Sequence, residues 1–191
     1  MLTFFNRSHT ESVTVDYCEF PDEALKESVE YLSSSGFKFY CLHPEVANWM
    51  GTDVSSVEEI RKRIRYAQKN EMFLFEINCG NHSRYWFHFQ SFSSFTLLDG
   101  WDSFKGNIAV VSKKDAAAFL GKPVNAVTEE EVLKSLTKEA EIIEQAINGD
   151  LFEVCGPESD DFCRHGWFLD EEDAAKFAKE EYPDFKYKDE D

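Results

Sequence analysis

The sequence predicts an α+β fold, a mostly antiparallel sheet with four to five helices packed on its face and ends. Three observations carry this reading. Short runs with two-residue alternation fill the middle of the chain, capped helical periods lie on both sides of them, and no period of 20–50 residues repeats. The chain has 191 residues, 42% of them hydrophobic and 15% aromatic, so it can bury a core and is not disordered by composition. A single domain over residues 1–191 is expected. It divides into a β-rich part, 1–112, and an acidic, helix-rich part, 113–191.

The elements follow in order. Ser12–Cys18 alternates Val13, Val15 and Tyr17 against polar neighbours and reads as a half-buried strand. Pro21 opens a helix carrying Leu25, Val29 and Leu32 on one face, with Asp22 and Glu23 at its positive end. Phe37–Leu42 is a short strand. Ser56 and Glu59 have capping-box spacing and start a helix that runs to Lys69. Met72–Cys79, Arg84–Phe92, Phe95–Leu98 and Asn107–Ser112 read as strands, with a hairpin turn over Cys79–His82. Large rings fall on both faces of Arg84–Phe92, which predicts a central strand covered on two sides. Lys113–Leu120 is a short helix, and Thr128 with Glu131 caps a long one ending at Asn148–Gly149. Leu151–Cys155 and Phe162–Leu169 form a hairpin, Asp170 caps a last helix over Glu171–Tyr182 that stops before Pro183, and the tail FKYKDED, residues 185–191, is expected to fray.

Charge narrows the function. The chain carries 37 acids and 20 bases, a net charge of −17, and residues 111–191 alone hold 22 acids against 10 bases. Direct nucleic-acid binding is disfavoured, because phosphate contacts need a basic face. No apolar run reaches the roughly 18 residues of a membrane span. The N-terminus, MLTFFNRSHTES, lacks the pattern of a secretory signal. Five scattered cysteines argue against a disulfide framework, and together these features predict a cytoplasmic protein.

Catalytic motifs are missing. There is no G-x-S-x-G elbow, no phosphate-cradling glycine loop and no H-E-x-x-H, so no catalytic residue and no cofactor are expected. Cys79, His82, Cys155, Cys163 and His165 supply the donor types zinc prefers, but their spacing is unlike the tight pairs of structural sites. The main reading is therefore buried thiols and turn histidines with no metal; a small zinc-dependent module is the alternative. Arg61–Lys69 (RKRIRYAQK) is read as an exposed helix face that neutralises acids of the same protein, Glu58 and Glu59 among them.

The segment GWDSFKGNIAVVSKKDA, with Trp101, Asp102, Ser103 and Gly106 followed by Val111, Ser112 and Lys113, resembles small proteins carried by phages and plasmids. In those, a WDS tripeptide leads through a glycine into a hydrophobic strand and a VSK helix start. The resemblance covers residues 99–169, and the family has no settled activity. It implies a mobile-element context rather than a reaction. Read from the residues alone, Trp101 plugs the core, Asp102 and Ser103 cap a turn, and Gly106 lets the chain bend.

The expected function is a non-enzymatic acidic inhibitor that blocks a nucleic-acid-binding host defence protein by presenting carboxylates at phosphate-like separations. Its partner is expected to be a basic protein, a nuclease or a nucleic-acid-binding complex. An immunity protein that neutralises a toxin would use the same electrostatics. Glu139, Glu141, Glu144, Asp160, Asp161, Glu171, Glu172 and Asp173 are the expected contact residues.

Overall fold

The computed structural model describes residues 1–8, 10–95, 103–157 and 164–187, with backbone only at Arg164, His165 and Tyr187. It is an α+β fold with two antiparallel sheets. The chain forms two compact units, one of Met1–Ala24 with Gln145–Asp191 and the other of Leu25–Glu144. Residue 112, where the sequence suggests a division, falls inside the second unit.

The first unit is built on β1 (Leu2–Phe5), β2 (Ser12–Tyr17), β7 (Phe152–Cys155), β8 (Arg164–Phe168) and β9 (Lys186–Tyr187), in the order β8-β7-β2-β1-β9. Phe4 pairs with Val13, and Val15 with both Leu2 and Val154, so these side chains share one face. That face is covered by α6 (Glu171–Glu181), whose Ala174 and Ala178 are buried one helical turn apart. Two alanines let the helix backbone approach the valines closely. Phe168 and Phe177 seal the edge with ring centroids 5.2 Å apart. Each fully buried valine or phenylalanine contributes about 1.5–3 kcal/mol.

The second unit holds β3 (Lys38–Tyr40), β4 (Phe73–Asn81), β5 (Tyr85–Ser91) and β6 (Ser103–Val111), in the order β3-β6-β4-β5. On one face α3 (Val57–Lys69) sets Ile60, Ile64 and Ala67 against Leu74, Ile108 and Val110. Its first turn is fixed as the sequence predicts, with the Ser56 hydroxyl accepting the Glu59 N–H at 3.1 Å. The remaining helices are α1 (Pro21–Ser34), α2 (Pro44–Trp49), α4 (Lys113–Phe119) and α5 (Glu129–Asn148). Thr128 and Glu131 exchange backbone N–H bonds at the start of α5, at 3.2 and 3.3 Å.

Several expectations need correction. The α+β, antiparallel class is as the sequence predicts; its strands lie in two sheets, and the described residues form six α-helices. The missed helix is α2, too short to show a period, although Val46 and Ala47 are buried. β1 was also missed. β9 pairs with β1 where a frayed tail was expected. β5 is an edge strand, not a central one. Its Phe87 and Phe89 are buried, whereas Trp86 and His88 stack on each other at 5.4 Å along the other face. Rings on both faces therefore reflect a ladder of aromatic pairs rather than two covering layers. Residues 96–98 of the expected Phe95–Leu98 strand lie outside the described residues, as does most of the turn between β7 and β8.

Candidate functional site

Acidity is concentrated by the fold more strongly than by the sequence. The first unit carries 20 acids and 6 bases, a net −14; the second carries 17 acids and 14 bases, a net −3. Folding back brings Glu11, Asp16, Glu19, Asp22 and Glu23 into the same unit as the C-terminal acids. Sequence reasoning missed these five because they stand 88 to 100 residues before residue 111, where the acidic C-terminal portion begins.

The expected contact residues separate into two groups. Glu171, Glu172 and Asp173 form the first turn of α6 in the first unit, after Asp170, whose carboxylate accepts the Asp173 N–H at 2.8 Å. Glu172 and Asp173 are exposed, and half-buried Glu171 meets the N-terminal ammonium of Met1 at 3.4 Å. Acids here suit the helix dipole. Glu180 and Glu181, at the opposite end of α6, are exposed and oppose it. Glu139, Glu141 and Glu144 lie on α5 in the second unit. Glu139 is half-buried, and burial raises its carboxyl above the usual range. Glu144 is also half-buried and accepts the Phe87 N–H at 2.8 Å, which ties it to the edge of β5. Glu141 is exposed, but one and two turns before it stand Lys138 and Lys134, also exposed. Asp160 and Asp161 lie outside the described residues.

Among the described residues, one acid of the first unit is buried. Glu153 is 4% exposed and accepts from the Glu19 N–H at 3.5 Å and the Cys155 thiol at 3.7 Å. Across the ladder it faces Asp16, a like-charge pair on one sheet face.

The motif residues have backbone roles. Ser103 is the first residue of β6 and pairs with Gly80, so it continues a strand where a turn cap was expected. Gly106 takes φ +86° where the register between β4 and β6 slips past Asn78. Ser112 caps α4, accepting the Asp115 N–H at 3.1 Å and donating to its carboxylate at 2.6 Å. Trp101 and Asp102 lie outside the described residues.

The metal-type residues are dispersed. Cys79 is buried in the second unit, its thiol pushed up by desolvation and set 3.8 Å from the Phe104 carbonyl. Cys41 is buried there too, and desolvation raises it to about 12. His82 is exposed, and Cys155 belongs to the first unit. Among the described residues no three His, Cys, Asp or Glu side chains converge as metal ligands. Cys163 and the His165 side chain lie outside them.

Two further features of the second unit complete the picture. A polar crevice of about 120 Å³ lies beside the Gly106 bulge, lined by Glu76, Asn78, Gln90 and Lys105 among others. Glu76 is committed to its own structure there, accepting from the Gln90 amide at 2.6 Å and the Ser93 N–H at 3.1 Å. On α3, Arg63 meets Glu59 at 3.6 Å and lies 4.9 Å over the Tyr40 ring, while Arg61 lies 5.9 Å over Phe95. Part of the basic stretch is thus spent inside the unit, by ring contact as well as by charge.

Comparison of the chain with protein-family models, with curated proteins and with solved structures finds no match in any of the three. Among the described residues no helix is long and apolar enough to cross a membrane.

Proposed function

We propose that this protein is a non-enzymatic acidic inhibitor of mobile-element origin, which occupies the nucleic-acid-binding surface of a basic host defence protein. One observation carries the reading: a unit of 71 residues holds a net −14, most of the charge of the whole chain. Self-repulsion on that scale lowers stability, so a compensating use in binding is a physical reason to keep it. Exposed carboxylates on a rigid sheet-and-helix scaffold offer a basic groove what a phosphate backbone offers it, with fast, salt-sensitive association.

The test is affinity capture from host lysate at low and high salt, followed by purification of the captured protein. The reading expects a nucleic-acid-binding protein or nuclease that high salt strips from the bait. It also expects labelled nucleic acid to be displaced from that protein by this chain. A captured protein that binds nucleic acid equally well with and without this chain would overturn the reading.

A further inference from the structure

An acidic surface alone attracts any cation, and a specific interface needs rigid apolar anchors within the charge. The first unit has such a place in Tyr17–Glu23 (YCEFPDE). Tyr17 is 56% exposed and Phe20 is 45% exposed, both large for rings on a folded unit. Between and after them, Glu19, Asp22 and Glu23 are exposed as well.

The segment is fixed rather than loose. The Tyr17 ring stacks on Phe152 with centroids 4.8 Å apart and 26° between planes. Cys18 is buried, and its N–H donates to the Leu151 carbonyl at 2.7 Å. The Glu23 N–H donates to the Phe20 carbonyl at 3.0 Å, closing the turn into the helix. Two exposed rings are therefore presented on pinned backbone, where little entropy remains to be lost on binding.

Rings beside carboxylates select one kind of cation. A guanidinium is planar and weakly hydrated, so it can lie on a ring face while its N–H groups bond a neighbouring carboxylate. A lysine ammonium is a compact, strongly hydrated charge that gains less from the ring. Tyr66 in the second unit is 58% exposed but stands beside Arg65 and one turn from Lys62 and Lys69, so its surroundings repel a cation. We propose that Tyr17 and Phe20 are the aromatic anchor of the acidic unit and that they receive arginine side chains of the partner. This rests on the function proposed above and names the residue chemistry of that partner.

The test titrates labelled nona-arginine and nona-lysine, equal in charge, into the full-length protein by fluorescence anisotropy at two salt concentrations. The wild type is expected to bind nona-arginine about tenfold more tightly, as two ring contacts of ordinary strength allow. Y17S/F20S should lose that preference while its affinity for nona-lysine stays within about twofold. Y17L/F20L keeps the apolar cover over Phe152 and should lose the preference as well, which guards against a folding defect in the serine variant. Equal affinity of the wild type for the two peptides would overturn the anchor alone, as would a preference that survives in both variants. Failure of both peptides to bind, or binding insensitive to salt, would overturn the charge-based function together with it.

Discussion

Gly36 has φ +93°, and a Cβ built there would sit 2.6 Å from the Asp115 Cβ. Asp115 cannot easily give way, because its carboxylate accepts from the Ser112 hydroxyl at 2.6 Å. Backbone strain and the clash add, so G36A should cost about 2–4 kcal/mol in urea denaturation; a loss under about 0.5 kcal/mol would contradict it. Glu139 makes a second test at this scale. Burial raises its carboxyl in the folded state, so its charged form is penalised and stability is lost as pH rises through that raised value. E139Q should therefore be more stable than wild type at pH 7, by about half a kcal/mol after solvent screening. That gain should vanish as pH falls below the unfolded glutamate value of about 4.3. A gain that persists at low pH would contradict the assignment. Glu131 has the opposite sign. The Lys122 ammonium and the Thr128 N–H lower its carboxyl, so its contribution is present at neutral pH and lost as pH falls through the lowered value.

At the scale of elements, the edge strand β5 is guarded by a carboxylate. Phe87 is buried, and its N–H, turned away from β4, is taken by Glu144. E144A should leave that donor unpaired, lower stability by about 1 kcal/mol and open the edge to self-association at high concentration. E144Q keeps an acceptor and should behave as wild type. Sedimentation and denaturation read both effects, and an E144A protein that stays monomeric with unchanged stability would contradict the guarding role. This is also where the sequence stopped being legible. Capping at Ser56, Thr128 and Asp170 could be read because a cap is written within four residues. The edge position of β5 could not, because strand order depends on β3, which ends 45 residues before β5 begins, and on β6, which begins 12 residues after β5 ends. Glu144 looked like one more acid on a polar helix side; its bond to Phe87 spans 57 residues. The candidate site was half legible for the same reason. Acids near the C-terminus were visible as a run, whereas those at Glu19–Glu23 join them only through the pairing of β2 with β7.

At the scale of the molecule, charge sets both stability and association. A net −17 with most of it in one unit means that added salt screens self-repulsion. The melting temperature should rise with sodium chloride, by about 2–4 °C for each kcal/mol recovered. Association with a basic partner should weaken over the same range. A melting temperature that is flat or falls with salt would contradict the self-repulsion argument.

The measurement that bears most directly on the proposed function compares two charge reversals of equal size. One replaces Glu172, Asp173, Glu180 and Glu181 of α6 by lysine; the other replaces Asp53, Glu58, Glu129 and Glu130 of the second unit. All eight residues are exposed, and both sets change the net charge by the same amount. Competition with labelled nucleic acid on the captured partner reads each variant. The α6 set should weaken inhibition at least about tenfold while the second set stays near wild type. Equal losses, or no loss from the α6 set in a protein that still folds, would contradict an acidic unit built for binding.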